Sequence, residues 1–144
     1  MTDLFAHLPV RPKLHVATPA YAGTVSSSLE AAMLHIAGIC AQQGVEFTRS
    51  VLDGTSILPM ARNKLVDLFL NTEDTHLLFI DADMGFEPQL IRDMAKFDKP
   101  LVGAFYARRQ MDASVVGATL DAGHTLADVT KDGFIRAAYV GGGV

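Results

Sequence analysis

Apolar positions along this chain switch between a strand-like and a helix-like spacing. Leu14-His-Val-Ala-Thr18 reads as a first strand, and Pro19 is expected to stop it because proline cannot donate to a ladder. From Ser27 the helical spacing takes over: Leu29, Met33, Ile36 and Cys40 fall on one stripe, and Gly44 ends it. Ser27-Ser-Leu-Glu30 has the form of a capping box, in which the serine accepts from an orphan N–H and the glutamate reaches back. Val45 to Leu52 is a second strand, turned by Asp53-Gly54. A second helix follows, with Ser56 as its cap and Pro59 in its first turn, where a missing N–H is harmless. Its buried side is expected to be Leu65, Leu68 and Phe69. His76 to Ile80 is a third strand. Glu87-Pro88 opens a third helix with Leu90, Ile91 and Met94 inward, and Leu101 to Phe105 is a fourth strand.

Strands alternating with helices predict an α/β fold with a central, mostly parallel sheet and helices on both faces. The run Leu77-Leu-Phe-Ile80 supports this, because a strand buried on both faces loses its polar alternation. Beyond Phe105 the pattern changes. Ser114 to Thr119 and Phe134 to Val140 read as strands joined by the polar Asp121-Ala-Gly-His-Thr, with no helix between them. The sheet is expected to become mixed there.

At 144 residues the chain fits one domain with a real core. Its 49% hydrophobic and 19% charged residues exclude a disordered chain. Lys and Arg are scattered and the net charge is -4, which argues against a nucleic-acid partner. Cys40 is the only cysteine, so no internal disulfide can form and a reducing compartment is expected. The start, MTDLFAHLPVRPK, has an early Asp and no apolar core of a secretory signal. The longest nearly apolar stretch, Ala31 to Ala41, is too short to span a bilayer. A cytoplasmic protein without a transmembrane segment is therefore expected.

Candidate chemistry centres on Asp81-Ala-Asp83, at the end of the third strand. Ligands of open parallel sheets gather beyond the carboxyl ends of the strands. Residues i and i+2 of an extended segment point the same way, so the two carboxylates should converge while Ala82 points aside. Converging carboxylates repel, and a divalent cation removes the conflict. Hard oxygen ligands suit Mg2+ or Mn2+ with substrate phosphates. A lone D-x-D is read equally well as a turn or as the cap of the next helix. Arg62 and Asn63 lie in the early turns of the second helix, where a cation works against the helix dipole. A nearby phosphate would explain it. A solvated arginine is the plain alternative.

Thr18-Pro-Ala-Tyr21, Pro59-Met-Ala-Arg-Asn63, Leu77-Leu-Phe-Ile-Asp-Ala-Asp-Met84 and Pro100-Leu-Val-Gly-Ala-Phe-Tyr106, in that order, resemble the nucleotide-binding half of GT-A glycosyltransferases. The resemblance covers roughly Leu14 to Tyr106. It implies a Rossmann-like GT-A fold, a nucleotide-sugar donor such as a UDP- or GDP-sugar, and a Mn2+ or Mg2+ ion. On that pattern Thr18, Pro19 and Tyr21 would line the base pocket, and Asp53 would hydrogen-bond the base or ribose. Arg62 and Asn63 would lie near the ribose and diphosphate. Asp81 would face the ribose or a metal-bound water, and Asp83 would ligate the metal. In that family, a strand and a glycine-rich segment like Ala138-Tyr-Val-Gly-Gly-Gly-Val144 lead into the part that holds the acceptor. A single donor-binding domain is therefore expected, with the acceptor half incomplete or missing, and no catalytic base is assigned.

Plainer roles stand beside these. Tyr21 also fits a ring packed at a strand end, and Asp53 fits its turn equally well. Arg108 and Arg109 fit a solvated face. His35 is expected to be packed or half-buried and His124 exposed. His15 and His76, in strands, show no partner cluster, so no zinc site is indicated. Two other function classes remain. One is a non-catalytic sugar-nucleotide-binding module of the same fold. The other is a phosphotransferase of the haloacid dehalogenase type, with Asp81 as nucleophile. Two strand–helix units precede the motif, and Lys96, Lys99 and Lys131 are poorly placed for that chemistry.

Overall fold

A computed structural model describes residues 10–97, 99–104, 118–120, 122–125, 128–130, 133 and 135–140. The chain divides into two compact units, one reaching to Val102 and one within Gly103–Gly142. In the first, β1 (Lys13–Ala20), α1 (Ser27–Gln43), β2 (Glu46–Asp53), α2 (Leu58–Leu70), β3 (His76–Phe79) and α3 (Gln89–Lys96) alternate as the sequence spacing predicts. The three strands form a parallel sheet in the order β2-β1-β3. The second unit contains β4 (Ala118–Leu120) and β5 (Ala137–Val140), paired antiparallel in a sheet of their own. The central sheet was expected to become mixed there; among the described residues it is parallel throughout, and the antiparallel pair is a separate two-stranded sheet. The rest of the two predicted late strands, Ser114 to Gly117 and Phe134 included, lies outside the described residues. Residues 101–104 form no strand, and Phe105 lies outside the described residues. Among the described residues, no helix is long and apolar enough to cross a membrane.

The core centres on β1. Leu14, Val16, Ala17 and Ala20 are buried there, together with Leu29, Ala32, Met33, Ile36 and Cys40 of α1, Ala61 and Leu65 of α2, Val45 and Ile80. Burial on both faces thus falls on β1, the central strand. It does not fall on the more apolar Leu77-Leu-Phe79, which is half-buried because β3 is an edge of the described sheet. Leu68 is 47% exposed, so the buried side of α2 is Ala61 and Leu65 with the half-buried Phe69.

Alternation along the strands assigns the helices to opposite faces. His15 of β1 meets the ring of Phe69 in α2, edge to face at 5.8 Å. Val16 is in register with Arg49, whose guanidinium makes a two-pronged contact to Glu30 of α1, at 2.7 and 3.1 Å. Glu30 therefore ties α1 to β2 and does not reach back to a cap. Ser26, not Ser27, is the N-cap of α1: its Oγ accepts from Leu29 N–H at 3.2 Å. Gly44 closes the helix in the left-handed conformation, φ 65°. At α2 the N-cap is Ile57, with no side-chain cap, so Ser56 does not have the predicted role.

Pro19 does not stop β1, which continues to Ala20. Odd-numbered residues of β1 turn their backbone groups toward β3: Thr75 N–H donates to Lys13 O and Ile80 N–H to Ala17 O, at 3.0 and 3.1 Å. Pro19 faces the same way, but β3 has already ended at Phe79, opposite Ala17. Its missing N–H therefore removes no ladder bond.

Candidate functional site

With β1 central, the connection through α1 runs to one side of it and the connection through α2 crosses back to the other. The carboxyl ends of β1 and β3 lie where this direction reverses, the place at which open α/β sheets hold ligands. Two turns shape the rim. Gly23 N–H donates to Ala20 O at 2.9 Å, and Gly54 N–H donates to Tyr21 O at 3.3 Å. Gly23 and Gly54 both have a positive φ, 67° and 68°, which a side chain would strain. Tyr21 is 69% exposed and Asp53 is exposed beside Gly23.

Arg62 and Asp81 are brought together. Arg62 Nη2 donates to Asp81 Oδ1 at 3.0 Å, and its guanidinium carbon lies 5.9 Å from the centre of the Phe79 ring. About a third or less of each charged side chain is exposed, 28% for Arg62 and 30% for Asp81. The arginine that opposes the dipole of α2 thus has a carboxylate partner within the protein.

The Asp81–Asp83 segment is not extended. The strand ends at Phe79, and Met84 N–H donates to Asp81 O at 3.1 Å, which folds Asp81–Met84 into a turn. The expected convergence of the carboxylates by strand alternation does not apply, because the two residues are no longer i and i+2 of a strand. The turn is docked on the start of α1. Ser26 N–H donates to Ala82 O at 2.8 Å, and Ser26 Oγ reaches Met84 O at 3.3 Å. Gly85 lies so close to Ser28 that an added Cβ would meet Ser28 Oγ at 2.8 Å.

The remaining sequence candidates separate. Asn63 is exposed on α2, and Asp83 is exposed in its turn. Pro19 is half-buried and, by alternation, on the α2 face with Ala17. Thr18 is on the opposite face with Val16; it is fully buried, and its hydroxyl has no hydrogen-bond partner among the described residues. Arg108, Arg109 and the end of the fourth resemblance motif lie outside the described residues. His35 is exposed, against the expected packing, and His124 is exposed as expected.

His15 has the partner cluster that the sequence did not reveal. Its Nδ1 is 2.9 Å from Asp74 Oδ2 and its Nε2 is 3.0 Å from Ser50 Oγ. Thr48 Oγ1 donates to the same Asp74 oxygen at 2.7 Å. An ionised Asp74 accepts only, so Nδ1 carries a proton and donates to it, while Nε2 and Ser50 Oγ share the second hydrogen bond. Burial pushes the Asp74 carboxyl up, but hydrogen bonds from Thr48, His15 and Thr72 outweigh it and hold the carboxyl below its ordinary range. At 3% exposure His15 has no room for a substrate beside it, so the Ser50–His15–Asp74 chain is a satisfied core network. Its partners come from separate segments, and only the polarity of His15 in a central strand hinted at it.

Among the described residues no group of three or more His, Cys, Asp or Glu side chains could hold a metal. A metal site at Asp81 and Asp83 would thus rest on two carboxylates. That fits Mg2+ or Mn2+, which take one or two carboxylates and leave the other positions to phosphate and water. It does not fit a closed zinc or calcium cage. No protein family, curated protein or solved structure matches the chain.

Proposed function

We propose that this chain is a metal-dependent glycosyltransferase of the GT-A type, or the donor-binding part of one, and that it holds a nucleoside-diphosphate sugar at the carboxyl ends of β1 and β3. One observation carries the reading: Arg62 and Asp81, from different elements, meet where the sheet connections reverse. Arg62 supplies a planar fork for the diphosphate. Asp81 and Asp83 supply the hard oxygens for Mn2+ or Mg2+, and Tyr21, Pro19 and Asp53 form the nucleoside rim. A bound cation would stabilise the leaving diphosphate as the sugar–oxygen bond breaks. A cytoplasmic location belongs to the same reading, and the buried free thiol of Cys40 is compatible with it.

Calorimetric titration with UDP and GDP, with Mn2+ and with EDTA, tests the proposal. Metal-dependent diphosphate binding, weakened by Asp83→Ala, is the expected result. Equal affinity with and without metal would overturn it. Binding without sugar transfer to any acceptor would mark a sugar-nucleotide-binding module. Phosphoryl transfer to Asp81 from a simple phosphate ester would mark a phosphotransferase.

A further inference from the structure

β2 is an edge strand of the parallel sheet. Odd-numbered residues of β1 turn their backbone groups to β3, so the even-numbered ones serve β2. Val16 sits opposite Arg49 and therefore bonds to Thr48 and Ser50 on either side of it. Phe47, Arg49, Val51 and Asp53 turn their N–H and C=O groups outward, where nothing among the described residues pairs with them. Edge strands are usually blunted by lysine, proline or a bulge. β2 has neither lysine nor proline, and its register with β1 is unbroken from Glu46 to Asp53. Val51 is 47% exposed. The helix beside this edge is open in the same direction. Glu30 of α1 reaches Arg49, and Leu34, Gly38 and Ala41, which share its side of the helix, are all exposed, Leu34 at 75%. His35 is the only polar side chain from Ala31 to Ala41, and a helix so apolar on all sides is normally covered.

We infer that β2 pairs with β2 of a second copy of this chain, antiparallel about a twofold axis, so that the two parallel sheets join into one. Parity and charge choose the register. Only residues with outward backbone groups can exchange ladder bonds, so odd positions must face odd positions. The charges of β2 are Glu46, Arg49 and Asp53. Parity forbids Glu46 from facing Arg49. Arg49 facing Arg49 opposes like charges, and Arg49 facing Val51 gives the charge no mate. Arg49 facing Asp53 of the second copy is allowed, sets opposite charges together, occurs twice by symmetry and places Val51 against Val51 on the axis. Arg49, Val51 and Asp53 of each strand then satisfy the backbone groups left open in the single copy. The same axis turns the exposed side of α1 toward its equivalent. Gly38 has open space where a side chain would stand, which leaves room for the two helices to approach. This interface does not rest on the proposed donor site.

Sedimentation equilibrium of the full chain tests the dimer without any ligand. The parent should sediment as two chains. Val51→Lys puts like charges on the axis, and Asp53→Arg sets Arg49 against a second cation; each should weaken the dimer at least about tenfold. Leu34→Lys should weaken it by a similar factor through the helix contact. Glu46→Gln, outside the pair, should leave it unchanged. Melting curves show whether each variant is folded. Hydrogen exchange on the parent needs no variant: the amides of Arg49, Val51 and Asp53 should become more protected as protein concentration rises, and that of Phe47 should not. A parent that stays a single chain up to about 1 mM would overturn the dimer. So would a folded Val51→Lys that dimerises like the parent, or a dimer in which the three amides gain no protection, since the copies would then meet through another surface.

Discussion

Gly85 lies against Ser28 with no room for a methyl group between them: a Cβ on Gly85 would fall 2.8 Å from Ser28 Oγ and 3.0 Å from its Cβ. This contact joins the segment after the aspartate turn to the first turn of α1. Gly85→Ala should cost about 1–3 kcal/mol, the usual range for overpacking. Ser28→Ala in that background removes the nearer clash and should recover part of the loss. Thermal melts of the two single variants and the double variant measure the coupling.

The position of the α1 cap gives a sharp contrast between neighbouring serines. Ser26→Ala removes the acceptor for Leu29 N–H and should cost about 1 kcal/mol. Ser27 is an exposed first-turn residue, and Ser27→Ala should change stability by less than about 0.5 kcal/mol. Urea unfolding curves distinguish the two. Ser26→Ala should also speed amide exchange at Met84, because Ser26 holds the aspartate turn as well.

Asp74 gives the fold a defined acid sensitivity. Its carboxyl is held below the ordinary value of 3.8, so it binds fewer protons folded than unfolded between those two limits. Its stabilisation is complete above about pH 4 and is lost as pH falls through the depressed folded value. Asp74→Asn should cost about 1–3 kcal/mol at pH 7. The gap from the parent should narrow on acidification below about pH 4, read from denaturant midpoints across pH.

Cys40 is 2% exposed, and burial pushes its thiol above the ordinary value. Since the thiolate is the reactive form, an aromatic disulfide reagent at about pH 8 should modify the native protein at least about a hundredfold more slowly than the urea-unfolded chain. Native modification at the unfolded rate would show that α1 opens readily from the sheet.

The helical stripe of α1 was legible apart from the small Ala32, because Leu29, Met33, Ile36 and Cys40 depend only on local spacing. The cap slipped by one position because Ser26, Ser27 and Ser28 are chemically alike, and only geometry selects among them. The capping box failed for a tertiary reason: Arg49 offers Glu30 two charge-assisted bonds from the neighbouring strand. The same holds for His15, whose partners Thr48, Ser50 and Asp74 are remote in sequence. At the site, the sequence located Arg62 and Asp81 but not their mutual bond. It also misjudged the path of the aspartates, because extended geometry was carried past the true end of the strand at Phe79.

The proline in the central strand acts on the strand beside it. At position 19 the edge of β1 facing β3 has no N–H to offer, so a longer β3 would leave its own carbonyl without a partner there. Pairing past Ala17 and Phe79 is unrewarded, and the chain leaves the ladder with Ile80, one residue before Asp81. Pro19 thus offers β3 no further ladder bond at the point where the chain turns toward the aspartates, and an amide-bearing residue such as valine there is expected to let β3 pair one step further.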